Sequence, residues 1–288
     1  LLFKIRKVQI RYLDEPYYAA ELYLMLKKGL LLTVLLCSVQ CDTLPFYGAR
    51  REYRSINTSH YEISVSKAGT FSAALPNGFP ILSQAYPFIE MDTDKQPRPL
   101  KTYAQYSTRT MIRSPLGEGH GFLFQKGNCA WAVNAYTTEP FFTVQVVFVN
   151  TSRETVKVSR LGPLSALVPL DLNRDSNVVQ TSASDAFPEE QTQTKDVFWT
   201  TLPKSGSNLF VTFLTRTSSE VRIQLERDTT RMPRPAVLRA ECIYEPPVAV
   251  PPGGTLTSDV LYVYLGEEPY EKIVETAQKR AAKFPSRS

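Results

Sequence analysis

Histidine occurs only twice in this 288-residue sequence, at His60 and His120, and neither stands at metal-ligand spacing from cysteine or carboxylate. No zinc pattern can be drawn from them. The four cysteines include no Cys-x-x-Cys pair, which excludes a thioredoxin-like redox motif and a cysteine zinc site. A Gly-x-Ser-x-Gly elbow and a phosphate-cradling glycine loop are both missing, and with them the usual hydrolase and nucleotide signatures. The longest apolar run, "GLLLTVLLCSV" at residues 29–39, is too short to span a bilayer comfortably. Basic excess is thin as well. Of the formal net charge of +5, six Lys/Arg and three Asp/Glu fall in residues 1–41, leaving 27 against 25 in the remainder. Nucleic-acid binding needs a clustered basic face, so that partner class is excluded. No repeat at a fixed period and no low-complexity tract is visible.

What is present suits a folded β protein. Hydrophobic residues make up 43% and charged residues 21%, enough for a sizeable core. Fifteen Tyr, fifteen Phe and twenty-one Pro favour strands joined by many turns. The first methionine is Met25, and Lys27 and Lys28 precede the apolar run, as in a secretory signal peptide. Residues 1–24 are therefore expected to be an upstream translated or non-native extension, and residues 25–41 a signal peptide. The alternative, a membrane helix over 18–39, is interrupted by Glu21, Lys27 and Lys28. Export would leave the protein secreted, periplasmic or lipid-anchored at Cys41, with cleavage near Asp42 equally open. Cys129 and Cys242 would then meet an oxidising compartment, where pairing and two buried free thiols are both compatible with the sequence. Asn57-Thr58-Ser59 and Asn150-Thr151-Ser152 are glycan acceptors in a eukaryotic source.

From Tyr61 the pattern is strand and turn. "YEISVSK" (61–67) and "GTFSAAL" (69–75) precede the turn Pro76-Asn77-Gly78. "FFTVQVVFVN" (141–150) and "TVKVSRL" (155–161), joined by "TSRE", read as a hairpin. Further strands are "DVFWTTL" (196–202), "NLFVTFLTR" (208–216), "EVRIQLER" (220–227), "AVLRAECIY" (236–244) and "DVLYVYL" (259–265), the last two punctuated by Pro246-Pro247 and Pro251-Pro252-Gly253-Gly254. Many strands without intervening helical periodicity predict an all-β fold, a large antiparallel β-sandwich over 42–266. Residues 267–288 break the pattern. Pro269 opens a helix with Glu267 and Glu268 at its positive end and Lys279, Arg280 and Lys283 at its negative end. Tyr270, Ile273, Val274, Ala277, Ala281 and Phe284 form one apolar stripe, which must bury on the sandwich or on another domain.

Candidate chemistry is sparse. "GEGHGF" (117–122) lacks a strand-to-helix dinucleotide unit, so a flexible hairpin is expected there, with His120 a turn or surface residue. Asp171, Asn173 and Asp175 place oxygen ligands at alternate positions, as in the first half of a calcium loop. Ser176 and Ser182 then stand where glycine and a bidentate carboxylate are wanted, so a polar loop is the competing reading. Carboxylates at Asp92/Asp94, Glu189/Glu190 and Glu267/Glu268 suggest no acid–nucleophile division. Trp131, Tyr136 and Trp199 are candidates for stacking on a sugar's C–H face, against the ordinary role of strand aromatics as core.

Three stretches together resemble the N-terminal domain of family-36 glycoside hydrolases, the α-galactosidase and raffinose-synthase group. They are "TVQVVFVNTSRETVKVSRLGPL" (143–164), "NLFVTFLTR" (208–216) and "LRAECIYEPPVAVPPGGTLTSDVLYVYLGEEPYEKIVETAQKRAAK" (238–283), within a resemblance covering 60–284. It implies a β-supersandwich preceding a (β/α)8 barrel that carries both catalytic aspartates, and no cofactor. The helix at 267–288 would be a connector towards that barrel. The chain alone would be inactive, a non-catalytic domain of an exported α-galactosidase-like enzyme. Expected partners are the catalytic barrel of the same parent chain and an oligosaccharide, with homo-oligomer contacts a further role open to the domain. The alternative is a stand-alone secreted carbohydrate-binding or adhesion sandwich, which needs Trp131 or Trp199 exposed. A purely structural envelope protein is the third reading.

Overall fold

A computed structural model describes residues 54–66, 68–100, 108–170, 179–181, 196–202, 205–218, 220–227 and 236–284. All of them lie in one compact unit, Ser38–Ser288. The expectations for residues 1–41 and for the loop carrying Asp171, Asn173 and Asp175 fall outside the described residues.

The chain proceeds through β1 (Arg54–Asn57), β2 (Glu62–Val65), β3 (Phe71–Ala74), β4 (Pro80–Met91), β5 (Arg98–Pro99) and β6 (Thr108–Ser114). Next come β7 (Gly117–Lys126), β8 (Cys129–Tyr136), β9 (Phe141–Val149), β10 (Val156–Val168), β11 (Val179–Thr181) and β12 (Val197–Thr201). The last strands are β13 (Asn208–Phe213), β14 (Glu220–Arg227), β15 (Ala236–Val250), β16 (Thr255–Thr257) and β17 (Leu261–Gly266), followed by the helix α1 (Tyr270–Ala281). Among the described residues they build two antiparallel sheets, an all-β sandwich. The eight-stranded sheet runs β1-β2-β3-β4-β10-β15-β14, with β5 on β4. The nine-stranded sheet runs β11-β12-β13-β17-β9-β8-β7-β6, with β16 on β9.

Period-two alternation sends one set of side chains between the sheets. Val158, Leu161 and Leu164 of β10 and Ala240 and Cys242 of β15 meet Trp131, Phe142, Val144, Val211, Leu261 and Val263 in one buried cluster. Tyr61, just before β2, stitches across. Its hydroxyl donates to the Phe141 carbonyl at 2.5 Å and accepts the Tyr136 N–H at 3.1 Å.

The structure departs from the sequence reading at three places. β9 and β10 are not a hairpin: β9 pairs with β8, β16 and β17, whereas β10 pairs with β4 and β15 in the other sheet. The reason is Asn150, fully buried at the corner. Its Nδ2 donates to the carbonyls of Glu154 (2.7 Å) and Val250 (2.8 Å), and its Oδ1 accepts from Ser152 N and Oγ. An amide so engaged turns the chain from sheet to sheet and is no open glycan acceptor, whereas Asn57 is exposed. Secondly, "GEGHGF" is strand, not loop. At Gly119 a Cβ would come within 2.1 Å of the Ala135 carbonyl oxygen, so glycine is what lets β7 lie against β8. Half-buried His120 sits within that strand. Thirdly, β15 continues through Pro246-Pro247, where its pairing with β10 shifts register between Val158 and Arg160.

One loop is clamped from within. Fully buried Asp259, just before β17, accepts five hydrogen bonds from the segment after β13. Oδ1 takes Thr215 Oγ1 (2.9 Å), Thr217 N (2.6 Å) and Thr217 Oγ1 (2.9 Å), and Oδ2 takes Ser218 N (3.1 Å) and Ser218 Oγ (2.6 Å).

Candidate functional site

The three aromatics singled out from sequence do not form one platform. Trp131 is fully buried between the sheets, its indole stacked on Phe124 with centroids 5.1 Å apart and planes at 4°. Tyr136 is buried on the opposite face of the nine-stranded sheet, its ring on Phe141 at 4.7 Å and its hydroxyl 3.0 Å from Ser114 Oγ. Neither offers a ring face to a sugar, because core packing occupies both. Trp199, half-buried in β12, lies 5.3 Å from Tyr270 at the start of α1. No group of three or more His, Cys, Asp or Glu suited to a metal occurs among the described residues.

The helix stripe is covered by the sandwich itself. Ile273 and Ala277 are buried against Tyr136, Phe141, Phe210, Tyr262 and Tyr264, and Tyr270, Val274, Ala281 and Phe284 pack partly around them. The stripe expected to serve another domain therefore rests on the outer face of the nine-stranded sheet. "LYVYL" in β17 is apolar at every position because both of its faces are covered. Arg280 latches the helix down. Its guanidinium lies 4.0 Å over the Phe141 ring, Nη1 donates to Tyr262 Oη at 2.9 Å, and Nη2 donates to Glu139 Oε2 at 2.5 Å. At the other end Asn208 Nδ2 donates to the Glu268 carbonyl at 2.7 Å, and the Glu268 N–H donates to Tyr264 Oη at 3.2 Å.

The outer face of the eight-stranded sheet is different in kind. Ala240 and Cys242 point into the core, so Glu241 between them points out. Register places Arg222 of β14 opposite Glu241 and Arg160 of β10 opposite Glu90 of β4. A row of alternating sign results across four strands. Glu90 Oε2 is 3.7 Å from Arg160 Nε, Arg160 Nη1 is 3.6 Å from Glu241 Oε2, and Glu241 Oε1 is 3.7 Å from Arg222 Nη1. Arg222 Nη2 then donates to Glu220 Oε1 at 3.3 Å. Glu241 is only 4% exposed, yet its Oε1 and the Arg222 Nε are buried without a hydrogen-bond partner. The indole nitrogens of Trp131 and Trp199 share that condition, each among packed rings. Phe88 and Ile243, buried on the same outward face, flank the row, and Gly162 makes room for the Phe88 ring, which a Cβ there would meet at 2.1 Å. No sequence motif points to these residues. Charges alternating with apolar residues in "EVRIQLER" and "LRAEC" were the available signal.

Burial holds the Glu241 carboxyl above its ordinary range, and the guanidiniums of Arg160, Arg222 and Arg239 pull it only partly back. In the unfolded chain the group titrates at about 4.3. The folded chain binds its proton more readily, so the stability contributed by the neutral form is complete below the unfolded value and is lost as pH rises through the folded one. Glu241→Gln copies the neutral form. It should match the parent in stability at about pH 4 and exceed it above the folded pKa, measured by denaturant unfolding across pH. A difference that does not vary with pH would contradict this. Cys129 and Cys242, the two cysteines among the described residues, are both free and buried. Burial pushes Cys129 up to about 12 and Cys242 higher still.

No family model matches the sequence, and no curated protein matches it. Solved structures do resemble the fold. An AgaA variant, a GH36 α-galactosidase from Geobacillus stearothermophilus in complex with stachyose, superposes with a TM-score of 0.53 at 10% identity, over 75% of this chain and 41% of that one. Its counterpart in complex with raffinose gives 0.51 at 9% identity, over 75% and 41%. A TPR-domain containing protein from Parabacteroides distasonis ATCC 8503 gives 0.53 at 11% identity, over 75% and 47%. What they share is the sandwich. The chain spans less than half the length of each of these structures.

Proposed function

We propose that this sandwich is the non-catalytic N-terminal domain of an exported α-galactosidase-like glycoside hydrolase, in which a (β/α)8 barrel follows α1 and carries the reaction. The observation that carries this reading is the superposition on a GH36 α-galactosidase over 75% of the chain at a TM-score of 0.53. The order of sequence elements from β9 to α1, quoted above for its resemblance to that family, supports it independently. In this reading the domain packs on the barrel and shapes the rim of its site, and Trp131 and Tyr136 belong to the core. Fold likeness at such low identity does not transfer a substrate, so galactoside specificity rests on experiment.

The test compares two proteins: the 288-residue chain, and the product of the complete reading frame from the source. Both are assayed for hydrolysis of p-nitrophenyl α-galactoside. The longer product should hydrolyse it and the 288-residue chain should not. A frame that ends at Ser288, an inert complete product, or turnover by the shorter chain each overturns the reading.

A further inference from the structure

We propose that Asn77 is a self-modifying site: its side chain closes on the Gly78 backbone nitrogen and is converted to aspartate and isoaspartate, with water as the one co-reactant. Of the eight asparagines in the sequence, Asn77 alone is followed by glycine, which sets no Cβ beside the nitrogen that must attack. Pro76, Asn77 and Gly78 are all exposed at the tip between β3 and β4. Gly78 has φ +81°, and a Cβ built on it would meet no atom within 4 Å, so a cyclic imide has room to form there. The Phe79 N–H donates to Asn77 Oδ1 at 3.0 Å. That bond folds the side chain back along Gly78 and draws charge onto the oxygen, which leaves Cγ the more electrophilic. One contact opposes the reaction. The Gly78 N–H donates to the Leu75 carbonyl at 2.8 Å and must leave it before the nitrogen attacks. A bond at an exposed tip opens more readily than a core ladder, so the turn slows the reaction without forbidding it.

The step balances without an oxidant or a cofactor. The Gly78 nitrogen bonds to Asn77 Cγ, the Cγ–Nδ2 bond breaks, and ammonia leaves with the proton that the nitrogen carried. Water then opens the imide at either carbonyl. Breaking the new Cγ–N bond gives aspartate in an unaltered main chain, whereas breaking the original peptide bond gives isoaspartate, whose main chain runs through Cβ and Cγ. The fold receives the two products differently. Aspartate keeps an oxygen for the Phe79 N–H, and its charge strengthens that bond. Isoaspartate lengthens the turn by one main-chain carbon. That turn sets Ala73 opposite Leu82 and Ala74 opposite Pro80, and the Leu75 N–H donates to the Phe79 carbonyl across it at 2.9 Å. The isoaspartyl form therefore loosens the β3–β4 hairpin at its tip, and the aspartyl form does not. Nothing in this inference depends on the proposed function.

The folded 288-residue chain is aged in mildly alkaline buffer and sampled over weeks. Isoaspartate is scored with an isoaspartyl methyltransferase and S-adenosylmethionine, and its position is read by peptide mass spectrometry. Both products should accumulate at residue 77 ahead of every other asparagine, and faster as pH rises, because the nitrogen attacks after losing its proton. Asn77→Gln should abolish the methyl-accepting signal. Asn57, exposed and followed by Thr58, is the internal control. Conversion of Asn77 no faster than that of Asn57 overturns the inference and shows that the bond from Gly78 to Leu75 protects the residue. Aspartate without isoaspartate overturns the cyclic route. The aged forms are then separated and compared with the Asn77→Asp variant by amide exchange. Exchange at Leu75 and Phe79 should be accelerated in the isoaspartyl form and unchanged in the variant. Equal exchange in the two overturns the loosening of the hairpin.

Discussion

Asp259→Ala is expected to lower the unfolding free energy by about 3–5 kcal/mol, read as a fall in the denaturant midpoint at unchanged slope. The carboxylate is fully buried and is the acceptor for two backbone N–H groups and three hydroxyls. Removing it strands all five donors at once. The hydroxyls can rotate towards other acceptors, but the amides of Thr217 and Ser218 are fixed by the backbone. Asp259→Asn should cost less, about 1.5–3 kcal/mol, because its carbonyl still accepts while its NH2 faces donors. Amide exchange at Thr217 and Ser218 should accelerate in both variants before exchange in β13 does. An Asp259→Ala protein within 1 kcal/mol or so of the parent would mean that water replaces the carboxylate, and the clamp would be no clamp.

Ile273→Ser should cost about 3–4 kcal/mol, from the lost side-chain volume, the cavity and a hydroxyl without a partner. Ile273 is fully buried beneath α1, on a floor of sheet aromatics. A helix whose apolar stripe awaited another domain would respond the other way, gaining solubility at no cost in stability. Glu271→Ser, two positions away on the exposed face, should change stability by less than about 0.5 kcal/mol and serves as the control. Improved solubility with unchanged unfolding for Ile273→Ser would contradict the packing described for α1.

Local pattern was legible where one sheet explains it. "YEISVSK" and "GTFSAAL" pair as β2 and β3, and "DVFWTTL" and "NLFVTFLTR" as β12 and β13, because alternation and a short turn suffice to define a hairpin. "TSRE" defeated the same logic. A four-residue link can close a hairpin or cross a sandwich, and the choice was made by the burial of Asn150, which its sequence neighbours do not reveal. The stripe of α1 was legible, but its partner was not named by the helix. It was encoded in β17, whose outward residues Tyr262 and Tyr264 are as apolar in body as its inward ones. Glu241 was invisible for a related reason. A charged residue in an alternating strand reads as solvent-facing, and only the register with β10 and β14 shows two arginines closing over it.

The positions of the two thiols make the sandwich its own clock. Cys129 lies in the nine-stranded sheet and Cys242 in the eight-stranded one, both sealed and both poor thiolates. An alkylating reagent reaches either only when its sheet opens, so each labelling rate counts excursions of one layer. Equal rates mean that the layers part together, as a single cooperative unit. Unequal rates mean that one layer frays while the other holds, and they identify the layer from which unfolding begins.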